Sequence, residues 1–72
     1  MNQTMDDLQA KVQRTLMSDS RTKEYGVEVL DSNGVIILRG AVPSHEARDT
    51  IEAVVREVDG VITVNNEMDV VA

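Results

Sequence analysis

The stretch from Asp31 to Val42, "DSNGVIILRGAV", decides the fold of this 72-residue chain. It contains two of the four glycines, with an apolar run between them. Asn33 and Gly34 tolerate the positive φ that a tight hairpin requires. The run lacks the Gly-x-x-x-x-Gly-Lys-Ser/Thr pattern of a phosphate-binding loop, and its interior is typical of a buried strand. The stretch therefore predicts a hairpin, with Gly34 in its turn and Gly40 at the far end of the second strand.

The segment before the hairpin predicts a helix over residues 4–18. Met5, Leu8, Val12 and Leu16 recur at intervals of three or four residues, which places them on one face of a helix. The polar residues that follow end this helix. A first strand is then predicted over residues 24–31.

The segment after the hairpin predicts a second helix over residues 44–59. Ser44 is a favourable N-cap, and Gly60 stands where a left-handed residue commonly ends a helix. Five apolar residues form the stripe of this helix: Ala47, Ile51, Val54, Val55 and Val58.

The element order predicts an α+β fold of one domain, residues 1–72, with the arrangement αββαβ. The second strand covers residues 35–42 and the third covers residues 61–71. In the third strand, Ile62, Val64 and Met68 are expected on one face together with Val70. Because the β-α-β connection is right-handed, both helices are expected on one face of a small, mixed, three-stranded sheet.

The composition narrows the classes of partner. Seven basic and thirteen acidic residues give a net charge of −6, which repels phosphate backbones and anionic head groups at long range. No nucleic-acid partner is therefore expected, and bulk electrostatic attachment to acidic membranes is disfavoured. A local basic patch can still override that average. There is no cysteine for a disulfide or a thiolate metal site. The start of the chain, "MNQTMDDLQ", has no signal-peptide pattern, and no segment reaches membrane-spanning length. The compartment stays open: the cytoplasm for a complete chain, or the periplasm or envelope for a domain cut from a longer precursor.

No residue pattern predicts catalysis or a cofactor. Ser44 and His45 are neighbours at a helix start, where their side chains diverge, so capping explains the serine. Glu67 and Asp69, with Glu28, are candidates for weak oxygen ligation of a hard cation. A solvated strand face is the favoured interpretation of the same acids. The chain is therefore not expected to be an enzyme, and no catalytic, cofactor-binding or metal-binding residue is assigned.

One face of the predicted sheet has no helix to cover it. If Ile36 and Leu38 point towards the helices, Leu30, Val35 and Ile37 lie on the opposite face. These three residues are a candidate interaction patch for a second copy or a neighbouring domain. Ordinary surface hydrophobicity is an equally weighted alternative.

The run "VEVLDSNGVIILRGAVPSHEARDTIEAVVREVDGVITVNNEMDV" resembles the BON domain family, named for bacterial osmotically induced and nodulation proteins. The resemblance rests on the strand "VEV", the "NGVIILRGAV" segment, the Ser-capped helix and the ending "VDGVITVNNEMDV". The matched residues belong to the framework of the fold: Gly34, Gly40, Gly60, Val61 and Val64.

The resemblance implies a non-catalytic αββαβ module of bacterial envelope proteins, often in tandem, that contacts phospholipid membranes or acts under envelope stress. It designates no ligand-contacting residue. An alternative is a protein-interaction or assembly module that uses the helix-free sheet face, with a protein partner or a weak homo-oligomer. A small-ligand or cation-sensing domain is the second alternative.

Overall fold

The computed structural model describes residues 7–71 and shows two helices and a mixed three-stranded sheet, the α+β arrangement predicted from the sequence. The bounds of the elements, in chain order, are α1 Asp7–Ser18, β1 Glu28–Ser32, β2 Val35–Arg39, β3 Ala41–Val42, α2 His45–Arg56, β4 Thr63–Asn66 and β5 Asp69–Val70. Residues 4–6 of the predicted first helix, with Met5, and residue 72 lie outside the described residues.

The sheet has the strand order β1-β2-β4. β1 and β2 are antiparallel, and Leu30 lies opposite Ile37. β2 and β4 are parallel, and Ile36 lies opposite Val64. The short strands β3 and β5 form a separate parallel pair, in which Ala41 lies opposite Asp69.

The predicted strands 35–42 and 61–71 are each interrupted. Gly40, with a φ of 143°, separates β2 from β3. The same offset of 28 residues relates Val35 to Thr63 and Ala41 to Asp69, so the register continues across the break. The N–H of Asp69 donates to the Gly40 carbonyl at 2.8 Å within the gap. The interruption is therefore a local rotation of the backbone and not a slip in pairing.

Three predicted boundaries were wrong. The strand predicted over residues 24–31 begins at Glu28, because a turn occupies residues 20–24. The buried Thr22 closes this turn, and its hydroxyl donates to the Leu16 carbonyl at 2.7 Å. The helix predicted over residues 44–59 ends at Arg56, and the third strand begins at Thr63 and not at residue 61.

The hydrophobic core lies between the sheet and the two helices. α1 packs on β1 and on α2, while α2 also packs on β4. The buried side chains of the core are Val12, Leu16, Val29, Ile36, Leu38, Val42, Ala47, Ile51, Val54, Val55, Val58 and Met68. They include the whole predicted stripe of α2. Ile62 was wrongly expected on the inner face, since its side chain is 76% exposed.

Candidate functional site

The Ser44–His45 pair has a capping geometry. Ser44 has an extended backbone, and its hydroxyl oxygen accepts the N–H of Ala47 at 3.0 Å. His45 is an exposed residue at the first position of α2. The serine oxygen is therefore occupied by the helix start, and the pair forms no nucleophile–base arrangement.

The framework glycines of the opening stretch lie where a side chain does not fit. Gly34 has a φ of 89° in the turn, and a Cβ built there would lie 2.6 Å from Cδ1 of Ile62. A Cβ on Gly40 would lie 3.0 Å from the carbonyl oxygen of Gly26. Gly34 is thus a close approach of a side chain, and Gly40 is a close approach of backbone. The remaining framework residues are Gly60, in the turn after α2, and Val61 and Val64, which pack half-buried against the core.

The acidic residues proposed for cation binding do not form a cluster, and one of them, Glu67, is hydrogen-bonded to other side chains. Glu67 accepts a hydrogen bond from Arg39 at 3.2 Å, and its other oxygen accepts one from Asn65 at 3.2 Å. Glu28 lies opposite Arg39 in the sheet. Within residues 7–71, no three histidine, cysteine, aspartate or glutamate side chains are grouped so that they could hold a metal ion. The candidate set of Glu28, Glu67 and Asp69 therefore has no ligand cluster in the described structure.

The three patch residues lie on the helix-free side of the sheet. We call Leu30, Val35 and Ile37 the sheet patch. Each is half-buried, and none packs against the core cluster. Leu30 and Ile37 are cross-strand partners, so their side chains share one face. Polar residues of β4, Thr63 and Asn65, lie beside them.

A second surface follows from the distribution of charge along the chain. Residues 11–23 contain four of the seven basic residues and one of the thirteen acidic residues. This segment is therefore positive by three, while the remainder of the chain is negative by nine. It comprises most of α1 and the turn that follows it. Residues 11–23 are thus positively charged, although the net charge of the whole chain is negative.

Two of these four basic side chains are engaged within the molecule. The Nζ of Lys11 donates to the Asp59 carbonyl at 3.1 Å, beyond the end of α2. Arg21 forms an ion pair of 2.8 Å with Asp19. The hydrogen bonds from Arg21 lower the pKa of Asp19 to about 2, which keeps this aspartate charged through the physiological range. Lys11 and Arg21 therefore already have partners within the molecule, near the ends of α2 and α1.

The other two, Arg14 and Lys23, form no ion pair with a carboxylate among the described side chains, and both are exposed. They flank Met17, whose side chain is 67% exposed. A depression of about 300 Å³ lies between α1 and the segment before β1, and its lining residues include Gln13, Met17, Lys23 and Tyr25 together with the acidic Glu24. A more open depression continues it along α1 past Arg14. We call Gln13, Arg14, Met17, Lys23 and Tyr25 the α1 surface.

The α1 surface places Lys23 at one depression and Arg14 at the adjoining one, and the two depressions share an amide, Gln13, and a flexible apolar side chain, Met17. Such a set suits an anionic head group with apolar groups next to it, because the cations attract the charge and methionine adapts its shape. The sequence interpretation did not find this surface. The count of charges within residues 11–23 could have indicated it, but the prediction used the net charge of −6 for the whole chain.

Neither described helix is long and apolar enough to cross a membrane. The family model described as BON domain matches residues 4–72. Over 66 residues, the chain is 35% identical to the outer membrane lipoprotein DolP of Haemophilus influenzae, a match that covers 90% of this chain and 34% of that protein. The chain thus spans about a third of the length of this curated relative.

Proposed function

The chain belongs to the BON domain family. From this premise we propose that it is a non-catalytic module of the bacterial envelope, and that it binds phospholipid head groups through the α1 surface. The single observation that carries the proposal is the pair of exposed cations, Arg14 and Lys23, beside the exposed Met17; among the described side chains neither cation forms an ion pair. The similarity to a protein described as an outer membrane lipoprotein supports the envelope as its location.

The charge distribution supports a preference for anionic lipid. Each lysine or arginine near an anionic membrane contributes about 1 kcal/mol of attraction, which fades within a Debye length. Two such residues give a modest affinity, and the negative remainder of the molecule opposes close contact elsewhere. We therefore expect the domain to bind with α1 against the membrane and most of the acidic residues directed away from it, while Glu24, which lines the same depression as Lys23, reduces the attraction.

The apolar part of the α1 surface supports a shallow contact. Met17 projects from the last turn of α1, so its side chain can enter the boundary between head groups and acyl chains. Tyr25 lines the same depression and has an apolar ring with a polar tip, which suits this boundary. The expected mode is therefore attachment to the membrane surface.

Vesicle co-sedimentation tests this function. We expect the domain to sediment with vesicles that contain phosphatidylglycerol, and much less with pure phosphatidylcholine vesicles. Lys23→Glu and Arg14→Glu should each weaken binding to the anionic vesicles, and added salt should do the same.

Arg48→Glu is the matched control, because it makes the same change of charge on α2, away from the α1 surface. It should bind more strongly than Lys23→Glu. Absence of binding to both kinds of vesicle contradicts the proposal. If Lys23→Glu and Arg48→Glu lose equal amounts of vesicle binding, the assignment of the binding surface to α1 is contradicted. The loss would then reflect only the net charge of the domain.

A second candidate function is assembly through the sheet patch. The half-buried side chains of Leu30, Val35 and Ile37 on a helix-free face favour an apolar partner surface, either another domain or a second copy. Ile37→Lys should abolish such an association, with Thr63→Lys at the polar side of the same face as the control. A sedimentation experiment that finds a monomer, unchanged by Ile37→Lys, removes the version in which the partner is a second copy.

A further inference from the structure

We propose that Asn33–Gly34 is a site of spontaneous deamidation, and that the carboxylate of Asp31 slows this reaction in the folded protein. The two residues form the turn between β1 and β2, with φ values of 54° and 89°. Asn33 is exposed to water, whereas Gly34 is buried. A glycine after an asparagine leaves the backbone nitrogen unshielded, because no Cβ stands beside it.

The chemistry needs only water. The backbone nitrogen of Gly34 loses its proton and bonds to Cγ of Asn33, which closes a five-membered succinimide ring. The side-chain nitrogen of Asn33 takes up a proton and leaves as ammonia. Water then opens the ring at either carbonyl and yields aspartate or isoaspartate. No electron is transferred, so no oxidant or reductant is required.

The structure holds the attacking nitrogen in place. The N–H of Gly34 donates to Oδ1 of Asp31 at 3.0 Å. A hydrogen bond to a carboxylate is stronger than a neutral one, and a nearby negative charge opposes formation of the amide anion. The proton that must leave the Gly34 nitrogen is therefore retained by its hydrogen bond to Asp31.

The other side of Gly34 is also fixed. Its carbonyl accepts the N–H of Ile62 at 2.9 Å, which joins the turn to the segment before β4. The Ile62 side chain also lies against Gly34, since a Cβ built on Gly34 would lie 2.6 Å from Cδ1 of Ile62. Rotation of the Asn33–Gly34 peptide group towards the Asn33 side chain must therefore break the hydrogen bond to Asp31, while the carbonyl on the other side of Gly34 is held by Ile62.

The modification would alter the sheet. Isoaspartate adds one methylene group to the main chain of a two-residue turn, between the paired residues Ser32 and Val35. The pairing of β1 with β2 and the bond from Gly34 to Ile62 cannot both be kept with that extra length. Deamidation at Asn33 is therefore expected to lower the stability of the domain as it ages.

The test compares wild type with Asp31→Asn and Asp31→Ala. Each protein is incubated at neutral pH, folded in buffer and unfolded in urea, and conversion of Asn33 is followed by peptide mass mapping. In buffer, Asp31→Ala should deamidate about tenfold faster than wild type, the factor that corresponds to about 1.4 kcal/mol for a charge-assisted hydrogen bond. Asp31→Asn keeps an acceptor without the charge and should be intermediate. In urea the three rates should agree.

Two results overturn the proposal. One is a folded wild type that deamidates as fast as the unfolded chain. The other is a folded Asp31 variant that is no faster than wild type; a slower variant would identify the carboxylate as a base that promotes the attack. If Asp31→Ala does not fold, the comparison of Asp31→Asn with wild type decides the matter.

Discussion

The two helices have the same length and cover the same face of the sheet, yet they differ in what they leave outside. α2 buries Ala47, Ile51, Val54 and Val55, and its other residues include both acids and bases. α1 buries Val12 and Leu16 and exposes Met17 near Arg14 and Lys23, two exposed cations that form no ion pair among the described side chains. The outer face of α2 is charged, while α1 carries the surface that we propose to bind phospholipid. Variants of the two helices should therefore affect different properties.

The largest effect is expected in the core side of α2. Ile51 is fully buried at the centre of the stripe, and Ile51→Ala should lower the free energy of unfolding by about 2–5 kcal/mol, because it removes apolar contacts and leaves a cavity. Urea unfolding followed by circular dichroism measures the change. The matched truncation on the outer side of α1, Met17→Ala, should change stability by less than about 0.5 kcal/mol. Similar losses in the two variants would show that the helices do not differ in this way.

The next effect concerns the start of α2. Ser44→Ala removes the acceptor for the Ala47 N–H and should cost about 1 kcal/mol in the same unfolding experiment. Ser44→Asp restores an acceptor and should recover most of that loss, since an acid is favoured at a helix N-terminus. A serine whose role were chemical would not be rescued in stability by aspartate.

The features of the fold that the sequence predicts correctly are those that depend on local properties. The stripe of α2 and the turn at Asn33–Gly34 depend on spacing and backbone preference, which are local properties, and they could be predicted. The late start of β1 depends on the hydroxyl of Thr22 reaching the Leu16 carbonyl, a contact that no periodicity reveals. The alternating pattern of the last strand includes Ile62. In the structure, however, Ile62 precedes β4 and its side chain lies against Gly34.

The candidate sites show the same limit. The sheet patch follows from strand alternation, because inward Ile36 and Leu38 require outward Ile37. The α1 surface needed knowledge of which cations are engaged. Lys11 binds a carbonyl that is 48 positions away in the chain, and only the fold brings the two together. A sequence shows where basic residues cluster, but not which of them stay free.

The ion pairs near the two helix ends predict different responses to acid. The hydrogen bonds of Glu52 with Arg56, and then with Asn66, hold the pKa of Glu52 below its usual value of 4.5. The folded state therefore favours the charged carboxylate, and its contribution to stability is complete above about pH 4.5 and is lost as the pH falls through the lowered pKa. The corresponding contribution of Asp19, after α1, is lost over a lower range, from its usual 3.8 down to about 2.

Urea midpoints measured from neutral pH downwards test this order with Glu52→Gln and Asp19→Asn. Each variant should be less stable than wild type near pH 7, by under about 1 kcal/mol for the partly exposed Glu52 pair. The gap for Glu52→Gln should close at a higher pH than the gap for Asp19→Asn. Asp49→Asn, an exposed acid one turn before Glu52 that forms no ion pair within residues 7–71, is the control and should show little dependence of this kind.

The smallest effect on stability, and the sharpest test of the comparison, is expected at Met17. Its side chain contributes little to the core, so Met17→Gln should leave the urea midpoint almost unchanged. If α1 rests on the membrane, however, loss of the apolar contact should weaken binding to anionic vesicles by about fivefold, which corresponds to about 1 kcal/mol of buried apolar surface. Ala53→Gln, on the exposed side of α2, should change neither property. A Met17→Gln variant that binds vesicles as tightly as wild type would leave Arg14 and Lys23 as purely electrostatic contacts and remove the apolar part of the proposed surface.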